Sequence, residues 1–155
     1  MKILRKTQLA SMALMLLLAF PVSAPAHTST LEHSGKASKA DRSIRITIKD
    51  LSLDKTRLDA RVGETIRFIV TNKGKLTHEF IIGNALEQAE HEKEMQQMTG
   101  MDMPDEPNGI TLKPGQTKTL TWTFGQAGEV EFACHVPGHY AAGMVGKIIV
   151  NANTK

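Results

Sequence analysis

Cysteine is nearly absent from this chain of 155 residues: Cys134 stands alone. One cysteine closes no internal disulfide, so the stapled frameworks of many small exported domains are excluded. Aromatic residues are also scarce, at 5% with one Trp and one Tyr, and no basic stripe interleaves with them. Nothing therefore points to a nucleic-acid partner. Long apolar runs are missing beyond the N-terminus, where "LASMALMLLLAF" at 9–20 is too short to span a bilayer. Lys2, Arg5 and Lys6 precede that run, and Ala24-Pro25-Ala26 follows it. This is the pattern of a cleaved secretory signal peptide over residues 1–26, which places the mature chain in the periplasm from His27 onward. No transmembrane segment is expected in it. An excess of charge is missing too. The leader carries three of the 19 basic residues and none of the 16 acidic ones, so the formal net charge of +3 vanishes with it. The remainder is long enough for one domain with a modest core.

What is present is mostly alternation of period two, the mark of strands with one buried face. Residues 27–42 are polar and small and read as a flexible N-terminal arm. From residue 43 to 155 the chain reads as one domain. Ile44, Ile46 and Ile48 share a face, as do Ile66, Phe68 and Val70. So do Leu76, His78, Phe80 and Ile82 in "LTHEFII", then Leu120, Trp122 and Phe124, and then Val130, Phe132 and Cys134. Met144, Ile148 and Val150 close the series. Turns at "NKGK", "KPGQ" and "GQAG" separate these runs, which predicts an antiparallel β-sandwich or barrel. The parity sends His78, Cys134 and Met144 inward, near strand ends. It sends His135 outward, as a surface histidine. Residues 84–108 break the pattern: good helix formers, seven acids against one Lys, and four of the eight methionines. This segment reads as a helical insertion ending near Gly100.

The set His78, Cys134, His139 and Met144 carries a particular chemistry. Thiolate and imidazole suit zinc, copper and iron, whereas a thioether is a soft donor that zinc rarely recruits. Two histidines and a cysteine in a plane, with a long axial methionine, make a blue-copper electron-transfer site. Cys134 ends one strand, Met144 begins the next, and Pro137 and Gly138 punctuate a loop that returns His139 toward them. A structural zinc site remains the alternative. His78, Cys134 or Met144 alone would more often be core.

"HEF" at 78–80 with "CHVPGHYAAGM" at 134–144 resembles the cupredoxins, the family of plastocyanin, azurin and rusticyanin, over roughly residues 43–151. The resemblance implies an all-β, Greek-key cupredoxin sandwich with one helical Met/His-rich insertion. It implies one type 1 copper per chain held by His78, Cys134, His139 and Met144. The acidic insertion is similar to that of periplasmic cupredoxins associated with copper tolerance. Glu79 stands where several cupredoxins carry an Asn that steadies the ligand loop.

The expected function is single-electron transfer with a part in copper tolerance, without enzyme activity. A redox partner protein or a copper-handling protein would be the partner, and the chain is expected to be a monomer. The alternative is a copper-sequestering or copper-delivery protein. Here His91, Met95 and Met98, spaced along one helix face, would join Met101 and Met103 in an extra Cu(I) site. Packing of an amphipathic cap accounts for the same spacing equally well. A multicopper oxidase is disfavoured, because the chain has six histidines and no His-x-His pair.

Overall fold

In the computed structural model, residues 39–98 and 103–153 are described. The segment read as a signal peptide, nearly all of the segment read as an arm, and Met101 lie outside these residues. The elements run β1 (Arg42–Lys49), β2 (Ser52–Leu53), β3 (Arg57–Arg61), β4 (Thr65–Asn72) and β5 (His78–Gly83). Then follow α1 (Ala85–Gln97), β6 (Gly109–Leu112), β7 (Thr117–Thr123), β8 (Gly128–Ala133) and β9 (Val145–Asn151). One sheet has the order β2-β1-β4-β7, and the other β3-β9-β8-β5-β6.

The alternation seen in the sequence decides which faces meet. Ile44, Ile46 and Ile48 pack with Ile66, Phe68, Val70, Leu120 and Trp122 from the first sheet. Phe80, Ile82, Leu112, Val130, Phe132, Ile148 and Val150 oppose them from the second. Phe80 lies between Phe68 and Phe132, with ring centroids 5.4 Å away on each side. Each such buried side chain contributes about 1.5–3 kcal/mol of apolar transfer free energy. Gly146 lets this packing close, since a Cβ there would lie 2.2 Å from Phe132 Cζ.

Three expectations need correction. The sandwich is mixed rather than antiparallel, because β1 pairs with β4, and β3 with β9, in parallel. Alternation reports which face is buried and carries no information about a neighbour's direction. Leu76 does not belong to the strand of His78: it precedes β5 and is 47% exposed. Arg42, read as part of the arm, opens β1, and Asp41 before it already exchanges hydrogen bonds with Thr65.

β5 is buried along its whole length, because β6 and β8 flank it and α1 covers its outer face. The helix starts at Asn84, whose side chain accepts from the N–H groups of Leu86 and Glu87 while Glu87 reaches back to the Asn84 N–H. That reciprocal cap anchors the helix directly after β5. Its buried face consists of Gln88, His91 and Met95. It ends at Gln97, earlier than Gly100.

Candidate metal centre

His78 opens β5, Cys134 follows the last residue of β8, and Met144 precedes β9. All three are fully buried, and His139 is 6% exposed. The loop between Cys134 and Met144 is closed on itself. The Cys134 N–H donates to the Met144 carbonyl at 3.0 Å, and the Met144 N–H to the His139 carbonyl at 3.1 Å. The His139 N–H donates to Val136 O at 2.8 Å. Gly138 and Gly143 take φ values of 86° and 91°, a region that costs other residues energy and lets this short loop turn twice. On the opposite side Asn72, also buried, donates to the carbonyls of Leu76 and Leu112 and accepts from the Gly74 N–H, tying down the approach to His78.

These elements bring one donor atom each from His78, Cys134 and His139 within 4.8 Å of one another. Cys134 Sγ lies 3.8 Å from His78 Nδ1 and 3.4 Å from His139 Nδ1. A first-row metal with bonds of about 2.0 Å to imidazole and about 2.3 Å to thiolate, at trigonal angles, needs a sulfur–nitrogen separation of about 3.7 Å. The donor set therefore fits a metal ion of that kind.

The electrostatics suit the same purpose. Burial, reinforced at His78 by the neighbouring His139, holds both imidazoles below their ordinary pKa, so their lone pairs are free at neutral pH. Burial pushes the Cys134 thiol up to about 12. The Glu79 N–H at 3.3 Å from Sγ opposes this, without cancelling it. The bare site keeps its thiol protonated, and a metal ion must displace that proton. Asp50 faces the other edge of His78, with Oδ1 3.6 Å from Nε2. The Leu76 N–H, and with it that of Lys75, holds the Asp50 carboxyl below its ordinary value.

Behind the donors lies a buried polar network that alternation did not reveal. His135, expected at the surface, is fully buried. Parity was right that it leaves the sandwich core, but α1 covers the outer face it enters. Its Nδ1 lies 2.7 Å from Glu92 Oε2, and its Nε2 lies 2.6 Å from Gln88 Oε1. Its ring stacks on Tyr140 at 4.8 Å. Glu79, 2% exposed, accepts from the His135 N–H at 3.3 Å and approaches His91 Nε2 at 3.5 Å. Residues next to all three donors, Glu79, His135 and Tyr140, thus join one network braced by the helix. The apolar-free pairing of Gln88 and Glu92 at helical spacing was the signal available in the sequence.

Of the residues considered for a second site, His91 and Met95 lie on the buried face of α1, and Met98 and Met103 are half-buried. His91 Nδ1 is 3.9 Å from Glu106, on the opposite edge from Glu79. The two carboxylates therefore flank His91 rather than converge with it on one point.

Comparison with known proteins agrees with this geometry. Residues 40–151 match the family described as copper binding proteins, plastocyanin/azurin family. The copper-resistant cuproprotein CopI of Pseudomonas aeruginosa is 38% identical, over 83% of this chain and 86% of its own. CopI of Rubrivivax gelatinosus is 39% identical, over 75% and 70%. Among solved structures, the dithionite-reduced auracyanin of Roseiflexus castenholzii superposes with a TM-score of 0.63 at 28% identity, covering 73% of this chain and 99% of its own. Auracyanin A of Chloroflexus aurantiacus, a blue copper protein, superposes with a TM-score of 0.55 at 27% identity, over 70% and 99%. The cofactor is copper, and the chain belongs to the plastocyanin/azurin family of copper-binding proteins, with copper-resistance proteins among its relatives.

Proposed function

We propose that His78, Cys134 and His139 would hold one copper ion, with Met144 as a further ligand, and that the protein passes single electrons in the periplasm as part of copper tolerance. The observation that carries this reading is the convergence of two imidazoles and one thiol, all buried, in a pocket whose loop is closed by its own backbone bonds. When bound, copper supplies a one-electron couple. The residues do the rest. Cys134 loses its proton and donates charge through sulfur. His78 and His139 keep neutral rings oriented toward it. The closed loop and the braced helix resist movement, so the donors keep their places in both oxidation states. Among the described residues no helix is long and apolar enough to cross a membrane. A signal peptide over 1–26 is the proposed route of export. The proposed working form is a monomer that meets a redox partner or a copper-handling protein and transforms no substrate.

The test is a Cu(II) titration of residues 27–155 followed by visible absorption, beside Cys134→Ser. Strong colour saturating at one copper per chain, and absent from the variant, is expected. Colour that survives loss of the thiol sinks the reading.

Copper sequestration is a second reading. Its support is His91, which lies buried on the same helix face as the buried Met95. Replacement of His91, Met95, Met98, Met101 and Met103 would then lower Cu(I) capacity below that of the wild type. Unchanged capacity leaves the insertion a structural cap.

A further inference from the structure

Asp50 lies between β1 and β2 and belongs to no recognised copper motif in the sequence. Its position is nevertheless closely specified. Oδ1 accepts the N–H groups of Lys75 at 2.7 Å and Leu76 at 3.1 Å, on the segment that leads into His78. Gly74 makes room for it: a Cβ there would lie 2.2 Å from Asp50 Oδ1 and 2.8 Å from the Asp50 nitrogen. Leu51, directly after it, adopts φ 58°, a left-handed conformation that a leucine takes only under constraint. The outcome of this arrangement is a carboxylate oxygen 3.6 Å from His78 Nε2.

His78 is fully buried, and among the described residues its Nε2 has no hydrogen-bond partner. Its Nδ1 is the nitrogen that faces Cys134. A neutral imidazole that donates its Nδ1 lone pair to a metal carries its proton on Nε2. That N–H is then buried and requires an acceptor. Asp50 is the group placed to provide one.

We propose that Asp50 is a positioning residue for the copper site, whose carboxylate faces the Nε2–H of His78, sets the tautomer and angle of the ring, and favours the oxidised state of the bound metal. The proposal rests on His78 being a copper ligand. A carboxylate behind a ligating histidine makes the imidazole a stronger donor, and losing such a group commonly costs 10–100-fold in metal affinity. Its negative charge also stabilises the more positive Cu(II) relative to Cu(I).

Three variants of the copper-loaded mature chain separate orientation, charge and folding. Asp50→Asn keeps an oxygen for the Lys75 and Leu76 N–H groups but removes the charge. Asp54→Asn removes the same charge nearby, at a carboxylate that serves the Thr47 N–H and Lys55 rather than His78. Gly74→Ala leaves all charges in place and crowds Asp50.

At a fixed ambient potential, Asp50→Asn is expected to raise the Cu(I):Cu(II) ratio about tenfold, which is about 59 mV for a one-electron couple. It should also alter the copper hyperfine splitting in electron paramagnetic resonance. Asp54→Asn should do neither. Gly74→Ala should alter the hyperfine splitting and speed copper loss to a chelator. Equal shifts in the two Asp→Asn variants, or an unmoved spectrum in both Asp50→Asn and Gly74→Ala, would overturn the proposal. Wild-type protein without cysteine-dependent colour would instead sink the copper-site reading, and this proposal with it.

Discussion

Replacement of His135 by alanine separates the folded structure from the simple alternation that placed this residue at the surface. In the fold, the substitution removes a fully buried ring together with its contacts to Glu92, Gln88 and Tyr140. Burial, the largest influence on His135, holds it below its ordinary pKa against the pull of Glu92. A neutral ring has one N–H for two acceptor oxygens, so only one of the two short contacts counts as a full bond. Given to Glu92, that charge-assisted bond is worth about 1.5–3 kcal/mol. The stack on Tyr140 adds about 0.5–1.5 kcal/mol. The Glu92 side chain is 26% exposed and regains some water when its partner leaves, which offsets part of the loss. A net destabilisation of about 3 kcal/mol follows. At about 4 °C per kcal/mol for a domain of this size, Tm should fall by about 12 °C. The assay is thermal unfolding of the copper-free protein, which keeps metal linkage out of the comparison. A fall of less than about 3 °C, the size expected of a surface substitution, would refute the buried network.

Further consequences are open to similar tests. The His91 pKa is raised, chiefly by Glu79, so its folded form binds a proton more tightly than the unfolded chain. Its contribution to stability is therefore fully present below the ordinary value of 6.5 and disappears as pH rises through the folded pKa. The stability difference between wild type and His91→Gln, from denaturant melts, should be largest at acid pH and shrink above neutrality; a difference that grows with pH contradicts this pairing. Gly146→Ala forces a Cβ onto the Phe132 ring and should cost about 1–3 kcal/mol by the same melts. No measurable loss would mean that the core around Phe132 is looser than its burial indicates.

The convergence of His78, Cys134 and His139 was legible in the sequence because its signals are local. Alternation reports a face, and its parity carried from Phe132 near the end of β8 to Cys134 just beyond it, both fully buried. The spacing from Cys134 through His139 to Met144 is set within one short loop, whose backbone bonds all lie between residues close in sequence. The helix was equally visible, since composition and the cap at Asn84 act over a few residues. Leu76 marks the limit of this kind of inference: its parity matched His78, but the chain had not yet entered the strand.

The sequence by itself determined the sandwich faces, the residues turned inward at the strand ends, and the donor chemistry that suits copper. These depend on period, spacing and side-chain type. Only the tertiary structure decided the parallel pairings of β1 with β4 and of β3 with β9, the burial of His135 and Glu79 beneath α1, and the placement of Asp50 behind His78. Each of these joins segments distant in the chain through backbone hydrogen bonds or buried polar side chains. A hydrophobic pattern cannot encode such contacts, because they become specific only after folding excludes water and leaves each buried donor or acceptor in need of a partner.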